Sequence, residues 1–483
     1  MHDLVPYGAV LLAASVAALA AILSSRLSEL TRVPAPALFL VAAAVASDLV
    51  PELGGLDVLT DQRLVTVALV VILFDGGMHI GWGRMRPNVA AVTWIGVAGT
   101  LVTTGAIAAA AYFLFGLDGR TALLVGAALA PTDPAVVFSV LGRREIKGRS
   151  GTLLEGESGA NDPVGIALMV SLLGAGAGWG GVGSVAGHFL LQMAVGAVVG
   201  IAGGWALLQV MRRAALPSAS LYPVLTIAFA VGLYGVATVA EGSGYLAVFL
   251  AGILVGDERA PYKREIENFA GALAGVAEIV AFVVLGLSVD LGALLTGSSL
   301  WIGLGLSALL IVVIRPVFVG LLTWPISLTR GERAFVLFSG LKGAVPILLG
   351  TYVLAEHTAR AEEVYQIIFV AVLVSVILQG GLVPTAARLL HVPMRIVAPE
   401  PWALGMRFRT EPEGLHRYVV APGSPADGCA LADLDVGESF WVSLVSRDGR
   451  LVQVRGDTVL EAGDEVLALV EADDPPDRVF RST

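Results

Sequence analysis

The chain has 483 residues, 56% of them apolar and only 14% charged, and its mean hydropathy is +0.82. Soluble domains run about 45–50% apolar and about 25% charged, so the composition excludes a disordered chain and a water-soluble multidomain enzyme and points to a multi-pass membrane protein. The net charge of −10 is uneven: residues 1–397 carry 22 Lys and Arg against 24 acids, and residues 398–483 carry 8 Arg against 16 acids.

A membrane-crossing helix needs about 20 apolar residues, because the hydrocarbon core is about 30 Å thick. Thirteen such stretches follow one another, near 5–25, 34–50, 62–80, 89–115, 121–141, 152–173, 184–211, 221–240, 243–256, 268–289, 298–324, 332–354 and 364–387. The first lacks a basic n-region and a small-residue cleavage site, so it reads as a retained helix and not a signal peptide. With the C-terminal tail inside, the inner loops and the stretch after the last span hold 17 Lys and Arg, and the outer loops hold only Arg63, Arg120 and Arg360. That asymmetry predicts an N-terminus outside and a cytoplasmic tail.

Spans 1–6 and 8–13 read as two halves of opposite orientation. Spans 5 and 12 are both interrupted, at Ala130–Pro134 and at Lys342–Pro346. Proline removes a backbone donor. A broken helix is tolerable in lipid only where protein or water meets the freed groups. Matching breaks in inverted halves point to a midplane transport site.

Ionisable groups at membrane depth are functional by default. They are Asp75 in span 3, Asp133 in span 5, Glu157 and Asp162 in span 6, Glu278 in span 10, Arg315 in span 11 and Lys342 in span 12. Asp133 lies in the broken stretch with Thr132. Ser158 and Asp162 are four residues apart and share a helix face. Carboxylate, hydroxyl and carbonyl oxygens suit a small alkali cation. A carboxylate kept from water binds its proton more tightly, so proton and cation compete for one site. Glu157 with Lys342 is the expected ion pair across the site, and Glu278 with Arg315 a second.

The strings LFDGG (73–77), LAPTDPAVV (129–137), LLEGESGANDPVGIAL (153–168), Arg315-Pro316 and GLKGAVPILLG (340–350) resemble the monovalent cation:proton antiporter-1 family, the NhaP- and NHE-like exchangers. The resemblance covers all thirteen spans. It implies an all-α polytopic membrane protein of 13 transmembrane helices, with inverted repeats (helices 1–6 and 8–13), broken crossing helices 5 and 12, and a small α+β cytoplasmic C-terminal domain. It further implies a homodimer in which helices 4–6 and 11–13 move against a scaffold of helices 1–3 and 8–10. By motif, Asp162 of the Asn161-Asp162 pair is the ion and proton carrier. Thr132, Asp133 and Ser158 complete the cation site, and Asp75 takes the place of the helix-3 acid. An Asn-Asp pair, where electrogenic relatives have Asp-Asp, implies electroneutral exchange. Two residues depart from the family pattern: Lys342 stands where Arg is usual, and Asp75 where Glu is usual.

Residues 392–404 are Pro-rich and read as a linker between a transmembrane domain (1–391) and a domain at 405–475, with 476–483 as a tail. Alternating runs at Arg417–Ala421, Phe440–Val445, Leu451–Val454 and Glu465–Val470, separated by turn signals, predict a strand-rich module. VAPGSPADGCAL (420–431) and SRDGRLVQVRGDTVLEAGDEV (446–466) resemble the TrkA-C/RCK-C regulatory domain, which implies a nucleotide messenger as a candidate ligand. A body of this kind with this tail resembles the NhaP-type K+/H+ antiporters of bacteria. The acidic tail argues against nucleic acid as a partner.

The reading is therefore a K+/H+ or Na+/H+ antiporter of the cell (inner or plasma) membrane, not an enzyme. It needs no cofactor, and its partners are its ions, membrane lipid and a second copy. Two alternatives are weaker. A gated K+ channel needs a TVGYG-type filter, which the chain lacks. An intramembrane serine protease built on Gly156-Glu157-Ser158-Gly159 needs a His beside the serine, and the histidines map to span ends or loops.

Overall fold

The computed structural model describes residues 34–50, 57–141, 144–146, 148–174, 181–214, 216–257, 262–358, 360–396, 415–434, 436, 440–447, 450–470 and 477–480. The expected first span and most of the expected linker lie outside these residues. The chain divides into two compact units, residues 1–397 and 398–483.

The first unit is helical. Its helices are α1 (Ala35–Leu49), α2 (Val58–Met85), Val89–Thr93 running through a π-helical turn at Trp94–Gly99 into α3 (Thr100–Phe115), α4 (Gly119–Leu129) and α5 (Ala135–Leu141). Then come α6 (Arg149–Gly174), α7 (Gly181–Arg213), α8 (Leu221–Val239), α9 (Gly244–Gly256) and α10 (Lys263–Leu287). α11 (Ser299–Leu309) continues as a π-helix through Leu310–Val319, α12 (Arg330–Phe338) precedes α13 (Ala344–Ala355), and α14 (Ala361–Val374) continues through a π-turn at Ser375–Gly380 into Gly381–Leu389. By length and apolar composition, six helical stretches among the described residues are able to cross a membrane, and four shorter apolar helices accompany them. The outward faces carry large apolar side chains such as Phe113, Trp205, Trp301 and Trp324, as a lipid-facing surface requires.

Small residues set the closest approaches. A Cβ on Gly77 would meet the Phe249 carbonyl of α9, and one on Gly252 would meet the Phe74 carbonyl of α2. The α2–α9 pair is therefore built on backbone-to-backbone contact, the small-residue packing of membrane helices. α2 bends at Gly81, whose φ of +64° is a left-handed conformation that glycine adopts without cost.

Both expected helix breaks are present, with one shift. Between α4 and α5 the chain is non-helical at 130–134. The second break falls at 339–343 and not at 342–346, because Pro346 lies inside the first turn of α13. There its missing N–H is an orphan in any case, so proline is accommodated without disrupting the helix. A short antiparallel pairing of β1 (Arg144–Ile146) with β2 (Met394–Ile396) ties the segment after α5 to the segment after the last helix.

The second unit is a four-stranded antiparallel sheet of order β3-β6-β4-β5, formed by β3 (Leu415–Val419), β4 (Phe440–Arg447), β5 (Arg450–Val452) and β6 (Glu465–Val470). Tyr418, Val445, Val466 and Ala468 face its core, and Phe480 of the short helix Asp477–Phe480 stacks on Tyr418 with ring centroids 4.6 Å apart. Arg447 ties the domain together, donating to Asp464 at 2.8 Å and also pairing with Glu461.

Candidate functional site

The two broken segments meet. The Asp133 N–H donates to the Leu341 carbonyl at 2.8 Å, and the Lys342 ammonium donates to the carbonyls of Ala130 and Pro131 at 3.0 and 2.8 Å. The logic is that of exposed helix ends. Ala130 and Pro131 terminate α4, where unpaired carbonyls gather partial negative charge. A buried ammonium, 1% exposed at Lys342, sits on them.

Asp133 plays the opposite part. Its carboxylate accepts from the Ala135 N–H at 2.8 Å and from the Ala344 N–H. It therefore sits at the N-termini of both α5 and α13, where positive helix-dipole ends collect. The chain leaves room for it by placing Gly343 opposite, since a Cβ there would occupy the position of the carboxylate.

α6 supplies the remaining groups. Asn161 and Thr132 exchange two hydrogen bonds, Asn161 Nδ2 to Thr132 Oγ1 at 2.8 Å and Thr132 N–H to Asn161 Oδ1 at 3.2 Å. This locks the middle of α6 to the α4–α5 break. Asp162 lies near the midpoint of the 26-residue helix and is 6% exposed. Ser158, one turn earlier, hydrogen-bonds its carboxylate, and the charges of Asp133 and Lys342 both act on it. Its Oδ1 is buried without a hydrogen-bond partner among the described residues. Pro163 follows directly and removes the N–H that would bond the Gly159 carbonyl. The structure thus gathers Thr132, Asp133, Ser158, Asn161, Asp162 and Lys342 at one place, rich in oxygen ligands.

The expected ion pairs are rearranged. Glu157 pairs with Arg315 at 2.8 Å, both side chains about 5% exposed or less, and not with Lys342. Arg315 is fixed by the Leu337 and Val336 carbonyls at 2.8 and 3.3 Å, so its planar fork spans a carboxylate and two carbonyls at once. A Cβ on Gly340 would collide with that guanidinium. Lys342 is left to the carbonyls of the α4 end. Glu278 of α10 therefore lacks the expected Arg315 partner. Its Oε1 is buried without a hydrogen bond among the described residues, and Asp133 is the charge acting on it.

Asp75 is placed elsewhere. It lies beside Gly271 of α10 and pairs with His79 one turn along α2 at 3.3 Å. Among the described residues no hydrogen bond or ion pair joins it to Asp133 or Asp162. His79, which its place in the sequence marks only as a helix-end residue, is thus the ionic partner of Asp75. Its four-residue spacing from Asp75 was the available signal. The Lys342 N–H, bonded to Ser375 Oγ at 2.9 Å, and Gln379, bonded to the same hydroxyl at 2.9 Å, are further supports that sequence patterns did not single out.

A cavity of about 750 Å³ opens at the C-terminal end of α6. Its walls include Ile166, one turn beyond Asp162, together with Glu241, Glu356, Tyr245 and Tyr352. A second recess, lined by Arg84, Asn88, Arg149 and Thr152, lies at the N-terminal end of the same helix. Asp162 is thus placed between two openings.

Residues 11–389 match the family of transmembrane sodium/hydrogen exchangers, and residues 415–474 match the TrkA-C domain. The chain is 33% identical over 457 residues to the K+/H+ antiporter NhaP of Alkalimonas amylolytica, an alignment covering 92% of this chain and 79% of the relative. It is 32% identical over 473 residues to the K+/H+ antiporter NhaP2 of Shewanella sp. (strain ANA-3), covering 95% and 80%. In structure it resembles the sodium proton antiporter MjNhaP1 of Methanocaldococcus jannaschii, with a TM-score of 0.64, 20% identity, and coverage of 77% of this chain and 99% of that one. The last likeness carries the fold, and the sequence matches carry the lineage. On the strength of a family match over most of its length, the chain belongs to the sodium/hydrogen exchanger family.

Proposed function

We propose that the chain is an electroneutral K+/H+ antiporter, exchanging one proton for one alkali cation at Asp162. The observation that carries this reading is the buried Asp162 carboxylate with an unsatisfied oxygen, set beside Ser158, Thr132 and Asp133 where two helix breaks meet. A lone buried carboxylate must be neutralised, by a proton or by a bound cation. Occupancy by one excludes the other, and that exclusion couples the two flows.

Asp133 and Lys342 form a pair of opposite formal charge at the helix ends of the breaks. Their opposite signs cancel, so the net charge of the centre follows the occupant of Asp162 alone. The Arg315–Glu157 pair braces α6 against the π-helical continuation of α11 and the last turn of α12. K+ is assigned because the two bacterial relatives are named K+/H+ antiporters and because a TrkA-C domain follows the membrane part.

In this reading the membrane part has thirteen helices in two inverted repeats, with an external N-terminus and a cytoplasmic C-terminal domain, in the cell membrane. The cavity at Ile166 gives access from one side and the recess at Arg149 from the other, in alternation. Residues 1–391 form the transport domain, 392–404 the linker, 405–475 a regulatory domain able to take a nucleotide messenger, and 476–483 the tail. Two copies form a dimer. Asp75 with His79 lies along the ion path.

The test is exchange in everted membrane vesicles containing a pH dye. Adding K+ to wild-type vesicles moves protons without an imposed membrane potential, and Asp162→Asn abolishes the response while the protein remains in the membrane. Wild-type exchange by Asp162→Asn overturns the assignment.

A further inference from the structure

We propose that Asp61 anchors a second binding site for a monovalent alkali cation, separate from the transport centre and lined by oxygen atoms alone. The proposal rests on a buried polar cluster and not on the antiport reading. Asp61 lies in the first turn of α2 and is 4% exposed. Its Oδ2 accepts from Ser288 Oγ at 2.8 Å. Its Oδ1 is buried with no hydrogen-bond partner, and no ion pair to Asp61 is present among the described residues.

What faces this carboxylate is also negative. The last turn of α10, a 25-residue helix, ends at Leu287. Its C-terminal carbonyls carry the negative end of the helix dipole. Three of them lie within hydrogen-bond distance of hydroxyls of this cluster: Val284 O is 2.9 Å from Ser288 Oγ, whose single proton it shares with Asp61, Leu285 O accepts from Tyr365 Oη at 3.2 Å, and Leu287 O from Ser47 Oγ at 2.8 Å. Asp57, the residue before α2, adds another carboxylate acting on Asp61. The positive N-terminal end of α2, in whose first turn Asp61 lies, offsets part of this charge.

A buried carboxylate beside a helix C-terminus, with no ion-paired positive side chain among the described residues, is an arrangement that an added cation completes. The ligand set is one buried carboxylate, the Ser288 and Tyr365 hydroxyls and nearby carbonyls. Hard oxygens with a single buried charge suit Na+ or K+, whereas divalent cations are held by several carboxylates. Asp61 is also remote from the helix-3 acid: it lies 14 residues from Asp75 on α2, about 20 Å along the axis at about 1.5 Å per residue. A cation here links α1, α2 and α10 to Tyr365 of α14.

The experiment measures the melting temperature of the full-length protein in detergent micelles. NaCl or KCl is compared with N-methylglucamine chloride at equal ionic strength, in an Asp162→Asn background that removes the transport carboxylate. The expected result is a rise of at least about 2 °C with one of the alkali cations, lost when Asp61→Asn is added. Ser288→Ala in the same background, a milder change, should weaken the apparent cation affinity several-fold, and it serves if Asp61→Asn does not fold. No cation-dependent rise in the Asp162→Asn protein overturns the proposal, as does a rise that survives loss of the Asp61 carboxylate. Exchange activity of Asp162→Asn in vesicles is read separately and bears only on the transport assignment.

Discussion

Arg315 shows how one residue holds the centre. Its guanidinium serves Glu157 and two carbonyls from a position 5% exposed. Removing one partner of a buried pair leaves the other charge unsatisfied, at a cost of about 3–5 kcal/mol. Arg315→Ala should therefore lower the melting temperature and the yield of folded protein sharply. Replacing Glu157 by Leu in the same protein should recover part of the loss. A single Arg315→Ala variant that melts like the wild type contradicts this account. The partner of Arg315 was not legible from sequence. Glu157 is 158 positions away, and Glu278, Glu157 and Lys342 all stood at membrane depth. Only the placement of Gly340 and of the Val336 and Leu337 carbonyls decides among them. The Pro131 and Pro134 flanks placed Thr132 and Asp133 at the helix break from the sequence, whereas Asn161 entered only through the family motif.

At the scale of elements, helix breaks and strands were read with different success. Pro131 and Pro134 mark the α4–α5 break directly, since each removes a donor. The second break was misplaced by a few residues because Pro346 also serves as a first-turn residue, and Ser339 to Gly343 carry no proline. The four strands of the C-terminal domain followed from period-two alternation, for example in Phe440–Arg447. Their order, with β6 in the middle between β3 and β4, did not, because alternation fixes faces and not neighbours. That sheet carries a pH dependence of its own. Hydrogen bonds from Arg447 hold the Asp464 carboxyl below its ordinary value, helped by the Glu461 N–H. A carboxylate depressed in the folded state adds stability above its unfolded value of about 3.9, and that stability is lost as the pH falls through the folded value. Hydrogen exchange in the full-length protein should show β6 amides losing protection below about pH 4. Asp464→Asn should show weaker protection at neutral pH and less change on acidification. Unaltered protection in that variant at neutral pH contradicts the role given to the Arg447–Asp464 pair.

At the scale of the whole molecule, the α6 helix carries Asp162 at its midpoint between two openings, and the two broken segments meet beside it. A transport cycle of this kind needs no external energy beyond the two gradients, provided that cation and proton cannot occupy the centre together. The claim is about binding before it is about movement, so it is most directly tested on purified protein at rest. Adding K+ to detergent-solubilised Asp61→Asn protein, which lacks the second cation site, in weak buffer with a pH indicator should release close to one proton per cation bound, and adding Asp162→Asn should abolish the release. Cation binding without proton release, or release that persists in Asp162→Asn, contradicts the account.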